Sequence, residues 1–112
     1  MARAALQRLH LRFVRTGGIF MGNRLETEVD ADDLGESDAA IVRDTIARVD
    51  LQRLAGASGS GTGADEYQYD LTVQRGPDQV VHLRFDETRV PAELLPLVDV
   101  LVRRAEEQRR RS

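Results

Sequence analysis

The sequence predicts an α+β domain of order ββαββα: a four-stranded antiparallel sheet made from two β-hairpins, with two helices packed on one face. Three observations lead there. Four segments alternate apolar and polar residues with the period of two that buries one strand face. Two others repeat apolar residues every three or four positions, and turn chemistry separates the segments at short intervals. Because every strand and helix has one apolar face, placing both helices on the same side of the sheet covers all of them at once. The opposite sheet face is left to solvent or to a partner.

The first strand sets Leu9, Leu11 and Phe13 against His10, Arg12 and Val14. The second sets Leu25, Thr27 and Val29 against Arg24, Glu26 and Glu28, and pairs with the first as a hairpin. Asp30, Asp32 and Asp33 then end the strand. Asp33 lies three residues before Glu36, the spacing of a capping box, and predicts the start of a helix whose apolar stripe is Ile41, Val42, Ile46 and Val49. Leu51 and Leu54 add one last apolar turn. Residues 56–64, rich in glycine and serine, offer little to pack and are expected to form a mobile connector.

Tyr67, Tyr69, Leu71 and Val73 alternate with Gln68, Asp70, Thr72 and Gln74, and Val81, Leu83 and Phe85 resume the alternation after the turn Arg75–Gln79. Pro91 suits the first residue of a helix, where an amide would have no partner. That helix carries Leu94, Leu97, Val98, Leu101 and Val102 on one stripe, and Pro96 falls within its first two turns. A flexible segment 1–8, one domain over 9–106 and a disordered arginine-rich tail 107–112 are the expected divisions. A domain of 112 residues can bury about two thirds of its unfolded surface and needs no staples.

Composition excludes several kinds of chemistry. There is no cysteine, hence no disulfide and no thiolate site, and His10 and His82 are the only imidazoles. A lone strand histidine such as His82 reads as solvated. The aspartates at 30, 32 and 33 lack the glycine and distal glutamate of a calcium loop, and the glycines of 56–64 lack the Lys-Ser or Lys-Thr that follows a phosphate-cradling loop. No Ser-His-Asp set, paired-histidine motif or cofactor fingerprint is present, so no cofactor, no metal and no catalytic residue is assigned. The basic residues are all arginine, as the coding bias of a GC-rich genome produces. The formal net charge is −3 and three positive charges lie in Arg109–Arg111, so the body is more acidic still, against a nucleic-acid partner. No apolar run approaches the roughly 18 residues of a membrane span, and Met1–Arg8 has no signal-peptide core; a cytoplasmic monomer is expected.

The unusual feature is the link between the first two strands, Thr16-Gly17-Gly18-Ile19-Phe20-Met21-Gly22-Asn23. Turn tips face water and favour small or polar residues, whereas this one centres on three large apolar side chains. Either the loop folds back over its own core, or it is presented to the hydrophobic cleft of a partner. Tyr67 and Tyr69 share a sheet face; core packing with hydroxyls at the rim and a secondary interface are both open to them.

Thr16-Gly17-Gly18, the strand from Arg24 to Asp30, the strand from Asp65 to Val73 and the helix opening Pro91-Ala-Glu-Leu-Leu-Pro-Leu-Val98 occur in the order and at the spacing of emfourin-like proteins, which this chain resembles from about residue 9 to 105. Those are protealysin inhibitors, directed at thermolysin-like zinc metallopeptidases. Against the family pattern, Ile19 stands between the glycines and the aromatic and Met21 replaces a small residue, so the loop is one residue longer. The resemblance implies a non-enzymatic inhibitor whose protease-binding residues are Gly17, Gly18, Ile19, Phe20, Met21, Gly22 and Asn23, with any of the three apolar side chains able to fill the specificity pocket. The zinc would be the target's. A protein–protein adaptor using the same loop and the open sheet face is the alternative function.

Overall fold

The computed structural model describes residues 8–17, 24–57 and 67–111, with nothing of the Ala57 side chain. It holds strands β1 (Leu9–Gly17), β2 (Leu25–Asp30), β3 (Tyr67–Arg75) and β4 (Gln79–Asp86), and helices α1 (Glu36–Arg48), α2 (Leu51–Ala57) and α3 (Leu95–Arg111). The four strands form one antiparallel sheet in the order β2-β1-β3-β4; both expected hairpins are present, and the β1–β3 pairing that joins them sets an order the sequence left open. The two nine-residue strands lie in the middle and the shorter ones take the edges, so the longest ladders are paired on both sides.

One sheet face carries Leu9, Leu11, Phe13, Val29, Leu71, Val73, Val81, Leu83 and Phe85, all buried in a single core with Val42, Ile46, Leu94, Leu97 and Leu101 from the helices. α3 lies across β2 and packs on α1, while α2 lies against β4. Thr27, buried on β2, donates from its hydroxyl to Gln108 Oε1 at 2.6 Å, which fixes the far end of α3 to the sheet edge. The helix therefore runs on through Gln108 to Arg111, whereas the charge run alone reads as a tail.

Several local expectations change. α2 is a helix in its own right, not a last turn of α1: Val49 breaks the helix with extended backbone, and Leu51 and Leu54 then bury a second short face. The capping box is not made. Asp33 belongs to a 3₁₀ turn, Ala31–Asp33, and Gly35 is the N-cap of α1 without a side-chain hydrogen bond. The bend at Leu34 is what buries both Ala31 and Leu34, and it moves Asp33 too far back to cap. Ile41, read as core, is 37% exposed, because α1 turns Val42, Thr45 and Ile46 inward instead. Pro91 precedes a 3₁₀ turn, Ala92–Leu94, and Pro96 is the second residue of α3, where its missing amide leaves no bond unmade.

The other sheet face is a lattice of ion pairs. Arg12 meets Glu26 at 3.7 Å, Arg24 meets Glu26 at 3.3 Å, and Asp70 takes both Arg84 at 3.1 Å and His82 at 3.2 Å. Val14 lies on this face yet is buried, flanked across the strands by Glu26 and Asp70 and so by two of those pairs.

Candidate functional site

The β1–β2 ladder ends at Arg15 opposite Leu25, but β1 continues alongside β3 to Gly17 opposite Tyr67. The last two residues of β1 therefore lean on β3 alone. Gly17 has φ 98°, a backbone region that costs any residue with a Cβ, and it is there that the chain leaves the sheet. The predicted contact residues Gly18, Ile19, Phe20, Met21, Gly22 and Asn23 follow immediately and lie outside the described residues.

Gly17, Tyr67 and Tyr69 come together at this strand end, on the helix side of the sheet. Arg15 joins them, its guanidinium carbon 4.3 Å from the centroid of the Tyr67 ring. The Tyr67 amide donates to Glu87 Oε1 at 3.1 Å, from the 3₁₀ turn Glu87–Arg89 that follows β4. Tyr69 is partly buried against the core, its ring tilted 57° to Phe13 with centroids 5.7 Å apart. Burial pushes the Tyr69 phenol pKa up, against the smaller opposing influence of Arg15. Sequence reasoning misses Arg15 and Glu87. The signal that could have found the arginine is a cation at 15 in phase with Leu11 and Phe13, a charge on the apolar face of its strand.

The remaining titratable candidates are otherwise engaged. His10 sits between two carboxylates of β2, Nδ1 2.6 Å from Asp30 and Nε2 2.7 Å from Glu28, and the bonds to Glu28 and then Asp30 raise its pKa. Of the three aspartates, Asp30 thus holds His10 and Asp32 holds Arg43. His82 is exposed on β4 and pairs with Asp70. Among the described residues no group of three or more His, Asp or Glu side chains is placed to hold a metal ion, and no helix is long and apolar enough to cross a membrane.

The fold and this strand end define a small α+β domain organised around a hairpin stem whose exit is shaped by a left-handed glycine and two tyrosines. A family model described as Emfourin matches residues 13–102, a stretch that includes the stem, both tyrosines and all four strands, and the chain belongs to that family. Emfourins inhibit protealysin-type M4 metallopeptidases, which sets the family-level activity of this chain and its partner as a thermolysin-like metallopeptidase. Compared with curated proteins and with solved structures, the chain finds no significant match.

Proposed function

We propose that this chain inhibits a thermolysin-like zinc metallopeptidase by laying the segment from Gly17 to Asn23 into the active-site cleft. The observation that carries the reading is Gly17: a left-handed residue at the end of a paired strand, from which three consecutive large apolar side chains follow in sequence. Apolar side chains at a glycine-flanked tip suit a hydrophobic specificity pocket, and the glycines let the backbone approach the cleft wall. The zinc belongs to the target. A carbonyl or carboxylate of the inhibitor can cover its open coordination position, while the sheet holds the segment away from attack geometry. Tyr67 and Tyr69, beside the stem, form the secondary contact.

The test is peptide hydrolysis by M4 peptidases, including one encoded by the same organism, with the purified protein titrated in. Stoichiometric loss of hydrolysis is the expected result; undiminished hydrolysis by all of them overturns the proposal. Phe20→Ala then locates the working surface. Weaker inhibition with an unchanged melting temperature places Phe20 in the partner, whereas a large stability loss with inhibition intact places it over its own core.

A further inference from the structure

The first half of α3 carries apolar surface that the core does not use. Leu97, Leu101 and Ala105 turn into the core, while the neighbouring flank repeats Leu95, Val98 and Val102 at the three- and four-residue spacing of a second stripe. That flank lines an open groove of about 540 Å³ together with Val90 and Tyr69. Val90 joins the two 3₁₀ turns between β4 and α3 with extended backbone and packs half-buried against the core. Tyr69 is a fixed wall, its ring braced by Phe13 at 5.7 Å and its hydroxyl accepting a hydrogen bond from the Arg15 side chain.

Three large apolar side chains are exposed among the described residues, and two of them gather here. Leu95, 51% exposed, lines this groove, and Ile41 lines a second one on the far side of Ala92 and Pro96, which border both. The third, Val80, lies on the outer sheet face at the opposite end of the β3–β4 ladder from Tyr69. Apolar side chains grouped in this way on a folded domain mark a contact surface. The groove lining also holds two carboxylates, Glu87 and Asp99, and no cation.

We propose that this groove is a docking site for the metallopeptidase and takes a large apolar side chain of the enzyme's surface bordered by lysine or arginine. The inference rests on the proposed inhibition of such a peptidase. Size, continuity and charge select the occupant. A stable complex engages roughly 20–30 residues a side, far more than any one inserted segment offers, so adjoining surface must share the contact. Tyr69 supplies the continuity, because it lines the groove and pairs across the sheet with Arg15, two residues before Gly17. The carboxylates favour a cation beside the inserted group and disfavour an acidic one. A wall already packed and hydrogen-bonded also loses little freedom when the partner arrives.

The experiment measures calorimetric binding and inhibition of an M4 peptidase by wild type, Leu95→Gln, Asp99→Lys and Val80→Gln. Melting temperature and solution mass of each free protein are recorded alongside. All three positions are exposed, so the variants should melt with wild type. Leu95→Gln keeps the size but puts an amide into the apolar contact, and Asp99→Lys reverses the charge beside it. Each should weaken binding and inhibition about tenfold, the Asp99→Lys loss shrinking near 1 M salt and the Leu95→Gln loss persisting. Val80→Gln should match wild type. Leu95→Gln binding as wild type does, or Val80→Gln losing as much, overturns the groove while inhibition by wild type leaves the proposed function standing. An Asp99→Lys loss that is absent or indifferent to salt overturns the cationic border. Wild type that binds without inhibiting overturns the function, and the same variants still decide the groove; wild type that binds no peptidase overturns both. A free protein that is dimeric as wild type and monomeric as Leu95→Gln gives the groove to a second copy and overturns the proposal.

Discussion

Replacing His10 with Gln should remove a pH-dependent share of the stability. The imidazole bridges the hairpin, with Nδ1 2.6 Å from Asp30 and Nε2 2.7 Å from Glu28. Both bonds favour the imidazolium, Glu28 most, and outweigh the opposing effect of burial, so the pKa is raised above the ordinary value of about 6.5. A raised folded-state pKa means that the folded chain holds the proton more tightly than the unfolded chain. The stabilisation is therefore complete below about pH 6.5 and fades as pH climbs through the higher folded value. The Glu28 side chain is 58% exposed, so these are partly screened surface pairs worth a few tenths to ~1 kcal/mol each. Taken together they contribute about 1 kcal/mol in the protonated state, which corresponds to roughly 4–8 °C in melting temperature for a domain of this size. Urea or thermal unfolding of wild type and His10→Gln at about pH 5.5 and about pH 9 reads the effect, with a penalty near 1 kcal/mol at the lower pH that shrinks at the higher. A penalty equal at both pH values, or larger at the alkaline one, would refute the reasoning.

Leu101→Ala, at a position with no exposure, should cost about 2–5 kcal/mol in urea unfolding, while Leu95→Ala at the start of the same helix, half exposed, should stay within about 0.5 kcal/mol. Thr27→Val removes the hydroxyl that donates to Gln108; a loss of about 1 kcal/mol is expected, with faster amide exchange confined to the last turns of α3. Asp70→Asn weakens the pairs with both Arg84 and His82 on the outer face. Its cost should stay below about 1 kcal/mol at low salt and disappear near 1 M salt, as unfolding at both ionic strengths would show.

The elements with strong periodicity are legible in the sequence. Both hairpins and α3 follow from alternation or a clean apolar stripe, because burying one face of a regular element leaves a repeat that no other conformation produces. α2 is not legible as a separate helix, since seven residues are too few to show a repeat or to hold a helix alone, even though most of them favour one; its packing against β4 makes it one. The stripe of α1 departs from its pattern at a single position. Ile41 and Thr45 compete for the inward side, and the rotation of α1 against α3, which no local pattern encodes, favours the threonine. At the candidate site, Gly17 and the two tyrosines stand out by residue type. Arg15 does not, because the partner that gives it meaning lies 52 residues away in sequence.

By itself the sequence determined which residues alternate, where glycine interrupts them, the absence of any cysteine, and the run Ile19-Phe20-Met21 that suggests a contact surface. These are properties of neighbours along the chain, where period and residue type suffice. Only the tertiary structure decided that β1 lies between β2 and β3, that His10 is held by two carboxylates, and that Arg15 stacks on Tyr67 beside the turn at Gly17. Those depend on which hairpin edges meet. Both hairpins offer edges of similar chemistry, so the choice between them emerges only when the whole core is packed.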